Sequence, residues 1–162
     1  MTYIQLLIQE IKREAESTIK LLERIPEDKF IWRPHAKSMS LIALAAHTAG
    51  LTEWPALIAK ASELDLANHP KVVINHTQEL VLIVIAGAKA SEEALNTITE
   101  NDLDREWTLR FGENIIKNLN KRDAIRTSAL NHQIHHRGQL TVYLRLLNIP
   151  LPGLYGPSAD EQ

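Results

Sequence analysis

NHQIHHRGQLTVYLRLLNIPLPGLYGPSADEQ, residues 131–162, holds three histidines, most of a helix and that helix's stop signal. At ~100° per residue, His132 and His136 lie about 40° apart around a helix and one turn apart along it, so both imidazoles can reach one point in space. Ala129 before them and Leu140, Tyr143 and Leu147 after them recur at three-and-four spacing, which puts the pair on the buried face of a long last helix. Asn120 caps that helix and it ends near Leu147. Pro150, Pro152, Gly153, Gly156 and Pro157 prevent any further helix. The tail carries Leu151, Leu154 and Tyr155, so it is expected to be extended and packed.

A single histidine on an apolar face is most often a hydrogen-bonded core residue. Two at i, i+4 are also the way a helix presents a metal site, because neutral imidazole is the commonest metal ligand. On the pair alone the two readings are balanced.

Working outward, three more helices are predicted. The first runs from Tyr3 to about Leu22, with Ile4, Leu7, Ile8, Ile11, Ala15, Ile19 and Leu22 on one face, and Pro26 ends it. Ser40 caps a second that runs to about Ala59, with Leu44, His47, Leu51, Trp54 and Ile58 on one stripe and a bend at Pro55. Thr77 caps a third that runs to about Ile98. Its first half, LVLIVIAGA at 80–88, is apolar nearly all round and calls for cover on both sides, by the core plus a loop or by a second subunit.

The polar stretch 62–76 between the second and third helices reads as the long crossover that a bundle with parallel neighbours needs. EWTLRF at 106–111 alternates like a strand before Gly112 and Asn114, and reads as a short hairpin-like excursion at one end of the bundle. The sum is an all-α fold: a four-helix bundle with a long crossover and an extended C-terminal tail, as one domain over residues 1–162. His35, His69 and His76 fall in connections and are expected at the surface.

Composition narrows the function. The chain has 162 residues, net charge −2 and 5% aromatic residues, which offers no basic or stacking footprint for nucleic acid and no polybasic membrane anchor. The apolar run 80–88 is too short to span a bilayer, and the N-terminus lacks a signal-peptide pattern. There are no cysteines, which removes thiolate ligands and a cysteine nucleophile and fits a cytoplasmic location.

His47 completes the histidine pair. It lies roughly 10 Å into the second helix and His136 roughly 16 Å from the end of the fourth, at ~1.5 Å per residue, so antiparallel pairing brings the three rings to one level. Three histidines leave one coordination position open, as in catalytic zinc sites. The zinc-protease pattern fails because Gln133 stands where a glutamate base is needed, and no glutamate has a histidine three residues later, as a ferritin-like site requires.

WRPHAKSMSLIALAAHTAGL (32–51), NHQIHHRGQLTVYLRLL (131–147) and PLPGLYGPSADE (150–161) together resemble the damage-inducible DinB-like family, related to the YfiT-type proteins. The similarity covers nearly the whole chain. It implies a four-helix bundle, usually dimeric, with a divalent metal on three histidines, here His47, His132 and His136. Zinc or nickel leads, although imidazole suits copper and iron as well. Characterised relatives include metal-dependent thiol S-transferases and a mycothiol-dependent isomerase. The implied activity is a metal that activates a low-molecular-weight thiol or water against a small electrophile. The alternative is a non-catalytic metal-binding stress protein that acts as a homodimeric module. An enzyme needs a pocket of ~300 Å³ or more beside the metal, and that separates the two.

Three roles stay open in the sequence. Arg137 either binds an anionic substrate group or pairs with an acid inside the fold. His135 is a supporting group or a surface residue. Tyr155 and Ser158 either cover the site entrance or belong to a packed strap.

Overall fold

The computed structural model describes residues 1–70 and 72–161. Helix α1 (Tyr3–Leu22) starts at a capping box: Gln5 N donates to Thr2 Oγ1 while Thr2 N donates to Gln5 Oε1. It buries Ile4, Leu7, Ile8, Ile11, Ala15 and Leu22 of the predicted stripe, whereas Ile19 is only half-buried and Glu14, Thr18 and Leu21 are buried beside them. Helix α2 (Leu41–Gly50) begins at Ser40, whose Oγ accepts from Ala43 N. A 3-10 turn, Leu51–Glu53, separates it from α3 (Trp54–Lys60), so the expected bend falls just before Pro55, which occupies the tolerated first turn of α3.

Helix α4 (Thr77–Leu95) is capped by a residue far away in sequence rather than by Thr77 itself. Glu27 accepts from Thr77 N at 2.8 Å, and Thr77 Oγ1 donates to Ile25 O. The last helical stretch comprises α5 (Lys121–Ala124), a π-helical segment Ile125–Leu130, and α6 (Asn131–Leu146). Asn120 caps it by accepting from Asp123 N.

The all-α expectation needs correction. A three-stranded sheet of order β1-β2-β3 stands beside the helices, formed by β1 (Glu63–Asp65), β2 (Glu106–Phe111) and β3 (Asn114–Asn120). The hairpin β2–β3 turns at Gly112, whose φ of 56° suits the first position of a two-residue turn. Trp107 and Leu109 point inward from β2 and are buried, while their neighbours in sequence face outward. Strand β1 lies within the crossover and pairs parallel with β2, Leu64 opposite Leu109.

The core has two apolar halves. One gathers Leu7, Leu95, Leu103, Trp107 and Ile125, the other Leu22, Leu41, Leu44, Leu80, Leu140 and Leu144. At the level between them each bundle helix contributes buried polar groups: Glu14 and Thr18 from α1, Thr48 from α2 with Thr52 just beyond it, Ser91 from α4, and Gln133 and Arg137 from α6. They satisfy one another. Gln133 Nε2 donates to Thr52 Oγ1 at 2.6 Å and Ser91 Oγ donates to Thr52 O at 2.8 Å. A buried polar group left unpaired costs ~1–3 kcal/mol, so these bonds fix the register of the helices about this level.

The stretch Leu41–Lys60 is long and apolar enough to cross a membrane by composition alone, but 61% of its most apolar window is buried inside the fold, where it serves as a core element. The buried stripe of α6 also differs from the one read in the sequence. It runs Gln133, Arg137, Leu140, Leu144, and Tyr143 is only half-buried. The histidine pair therefore flanks the core rather than filling it. Helix α4 leaves Leu82 and Ile85 more than half exposed, so the all-round apolar run is covered on one side only.

Candidate metal centre

His47 from α2 and His132 and His136 from α6 meet at the edge of the polar layer, all half-buried. His132 Nε2 lies 2.8 Å from His136 Nε2 and 3.4 Å from His47 Nε2. An ion bound tetrahedrally about 2.0–2.1 Å from each nitrogen would hold them ~3.4 Å apart, so the set is near the geometry of a three-imidazole site.

The other nitrogen of two rings shows which tautomer is present. A carbonyl only accepts, so His132 Nδ1 donates to Ser128 O at 3.3 Å, and His136 Nδ1 donates to Gln139 Oε1 at 2.7 Å. Both Nε2 atoms then turn lone pairs toward the same point. Two lone pairs 2.8 Å apart repel, and a cation between them converts that repulsion into coordination. The residues present therefore fit a divalent ion. The π-helical segment contributes to this arrangement, because Ser128 lies within it just before His132. Such segments often occur at functional sites.

The rings are kept neutral. Burial, followed by the neighbouring His136 and His132, pushes the His47 pKa down to about 4. Burial also lowers His132, as does His136, and the same cause lowers His136 against the opposing pull of Gln139. Neutral imidazole is the ligand form.

Beside His47 and His132 opens a cavity of about 770 Å³. Ala43, Ala46 and Gly50 of α2 and Trp54 of α3 form one wall, Leu66, His69, Pro70 and Val72 of the crossover a second, Leu109, Ile116 and Lys117 of the hairpin a third. The crossover and the sheet thus complete the site. His69 lines this cavity and is half-buried, in contrast to the surface position expected for it, whereas His35 and His76 are exposed. His135 is exposed and outside the cavity, its ring edge-on to His136 at 5.0 Å.

Arg137 turns away from the cavity. It is 1% exposed and pairs with Glu14, also donating to Glu14 O at 2.9 Å and Thr18 Oγ1 at 3.2 Å. The Tyr155 hydroxyl joins this pair and donates to Glu14 Oε2 at 2.7 Å, although most of its ring is exposed. The tail is therefore a packed strap. It is held further by Arg145 on Asp160 and by Gly153 N donating to Glu161 Oε1, and none of its described residues lines the cavity beside His47 and His132. The Arg137–Glu14 link was only half visible in the sequence: Glu14 sits beside the apolar stripe of α1, where a charge signals an internal partner.

The match to known proteins extends over the whole chain, since the model of the DinB family fits residues 1–162. The chain belongs to the DinB family. Among its relatives are two from Bacillus subtilis (strain 168). The uncharacterized protein YrdA is 26% identical over 151 residues, covering 91% of this chain and 85% of its own. The uncharacterized protein YjoA is 28% identical over 130 residues, 79% and 80% respectively. The solved structure of the DinB-like YjoA superposes with a TM-score of 0.72 at 21% identity, covering 94% of this chain and 99% of that one. A member of the family from Exiguobacterium sibiricum 255-15 gives 0.66 at 20% identity, covering 100% and 99%. At these identities the likeness of structures establishes the fold alone.

Proposed function

We propose that this DinB-family protein is a metal-dependent enzyme in which His47, His132 and His136 hold one divalent ion, zinc or nickel, against a small electrophilic substrate. The observation that carries the reading is a set of three neutral, converging imidazoles, of which His47 and His132 line a cavity of about 770 Å³, well above the ~300 Å³ that a small-molecule site needs. That volume favours an enzyme over a non-catalytic metal-binding module. When bound, the ion would lower the pKa of a thiol or water that takes the open position. The chain's own contribution is to keep the imidazoles unprotonated, to fix two of their tautomers, and to surround the reacting groups with apolar walls. The sequence contains no cysteine, so a thiol nucleophile must come from a low-molecular-weight cofactor or substrate.

Metal analysis of the purified protein tests the site. About one ion per chain is expected, and changing His47, His132 and His136 together to Ala should abolish loading; unchanged loading ends the assignment. Cobalt substitution tests the chemistry. Its spectrum should shift when a small thiol is added, because thiolate is a soft donor that replaces water, and turnover of a model electrophile should then depend on thiol. Indifference to thiols combined with metal-dependent hydrolysis would leave water as the nucleophile.

The reading includes a cytoplasmic location and a homodimer, with the exposed Leu82 and Ile85 of α4 offered to a second copy. Light scattering of the wild type and of a Leu82→Glu, Ile85→Glu variant checks the dimer.

A further inference from the structure

Charge balance in the cavity defines the ligand more narrowly than its volume does. Its lining includes Lys117 of β3, and no aspartate or glutamate is among the lining residues. Among the described residues no carboxylate lies within ion-pair distance of the Lys117 ammonium. It lines the same cavity as His132. A divalent ion on three neutral imidazoles would add to the same sign of charge, with no carboxylate among the lining residues to offset it. A cavity of one sign with low-dielectric walls concentrates the opposite sign.

A second polar group points the same way. Ser128 is 2% exposed and lines the cavity, and its Oγ is one of two buried side-chain polar atoms among the described residues that have no hydrogen-bond partner. Its carbonyl orients His132, and its unpartnered hydroxyl is the group that can meet a ligand. Apart from His69 and the ligand histidines, the remaining walls, from Ala46 and Trp54 to Leu66, Leu109 and Ile116, are apolar, and at the mouth Val72 and Ile116 stay about half or more exposed.

We propose that the cavity selects an amphipathic organic anion: an apolar body lying between α2 and the hairpin, an anionic group on Lys117, and a hydrogen-bonding atom within reach of Ser128 Oγ. This rests on the metal-enzyme reading for where the ligand reacts, but selection by the cavity itself does not require the ion. Lys117 and Ser128 are then specificity residues on the substrate rather than metal ligands.

The test uses three probes that share one apolar body, phenylbutyrate, phenylbutanol and phenylbutylammonium, titrated calorimetrically into the chelator-treated full-length protein. Phenylbutyrate should bind roughly five-fold tighter than the alcohol, the range of a partly exposed ion pair, and the ammonium most weakly. Lys117→Met should bring acid and alcohol together, Lys117→Glu should invert the order, and Ser128→Ala should weaken the acid while leaving the Lys117 preference intact. Lys117 lies on an exposed strand face, so its variants should fold as the wild type does, which circular dichroism checks. Equal binding of acid and alcohol overturns the proposal, as does an acid preference that survives Lys117→Met, or no binding of any probe. Repeating the series on metal-loaded protein separates this inference from the one beneath it. An acid preference seen only with the ion and insensitive to Lys117 assigns the anion to the metal, keeping the metal reading and ending this one. A failure of metal loading with the metal-free preference intact does the reverse.

Discussion

Gln139 accepts a 2.7 Å hydrogen bond from His136 Nδ1, one turn along α6, and so sets the ring whose other nitrogen faces His132. Groups that orient a ligand histidine in this way typically change metal affinity by about 10–100-fold when removed. Gln139→Ala should therefore weaken metal binding about ten-fold in competition with a chromophoric chelator, with the fold unchanged, because Gln139 is exposed. Gln139→Glu keeps the acceptor and adds charge, so it should bind at least as tightly as the wild type. Equal affinities for Ala, Glu and the wild type would show that the contact orients nothing.

Arg137 and Glu14 form an ion pair with side chains only 1% and 10% exposed, and Tyr155 ties the C-terminal strap to it. Removing one partner leaves the other charge buried, which costs ~3–5 kcal/mol. Arg137→Leu should lower the melting temperature by roughly 10 °C. The Arg137→Leu, Glu14→Leu double variant should recover much of that loss, since no lone charge remains. Tyr155→Phe removes only a hydroxyl and should cost about 1 kcal/mol. Metal loading should persist in Tyr155→Phe, because none of the strap's described residues lines the cavity beside His47 and His132. A double variant no better than Arg137→Leu would mean that the pair matters through packing alone.

These contrasts also show how far sequence reasoning reaches. Ser40, Asn120, Pro26 and the stripe of α1 act within one turn of themselves, and local signals of that kind are legible in a linear chain. The i, i+4 pair His132 and His136 is legible for the same reason, and His47 could be added because helix pairing in a bundle is simple to count. Strand β1 could not be read, since three residues carry too little alternation and its partner Leu109 lies 45 positions on from Leu64. The same holds for the cap of α4 by Glu27, 50 residues away from Thr77. The stripe of α6 misled because its buried positions are filled by Gln133 and Arg137, residues that patterning assigns to water. His69 was placed at the surface because it lies in a connection, whereas that connection forms a cavity wall.

Two glycines in helices make opposite predictions. A Cβ on Gly87 of α4 would stand 2.9 Å from Glu53 N and 3.1 Å from Thr52 C, which are backbone atoms of the turn between α2 and α3. Gly87→Ala should therefore cost ~1–3 kcal/mol by overpacking, more than the ~1 kcal/mol that helix propensity returns. Gly138 of α6 has nothing within 4 Å of its Cβ position, so Gly138→Ala should stabilise by ~0.5–1 kcal/mol. Urea denaturation of the two variants decides, and changes of the same sign would contradict the close approach of α4 to the turn.

The pH dependence of stability tests the state of the histidines themselves. In metal-free protein the His47 pKa is pushed from 6.5 to about 4, first by burial and then by His136 and His132, and His132 and His136 are lowered as well. Above 6.5 these rings are neutral whether the chain is folded or not, and they contribute nothing to the pH slope. Below 6.5 the unfolded chain takes up protons that the folded site refuses, so stability falls with falling pH until the folded pKa is reached. The depressed carboxylates do not interfere in the upper part of this range. Asp160, lowered to about 2 by Arg145 and Leu151 N, loses its contribution only below 3.8, and Glu27 and Glu161 lose theirs only below 4.5. Denaturant unfolding of metal-free protein between pH 6.5 and 4.5 should therefore show a steady loss of stability, shallower in His47→Leu. A flat profile in the wild type would mean that the folded site accepts a proton as readily as the open chain, and the imidazoles would then not be held ready for a metal.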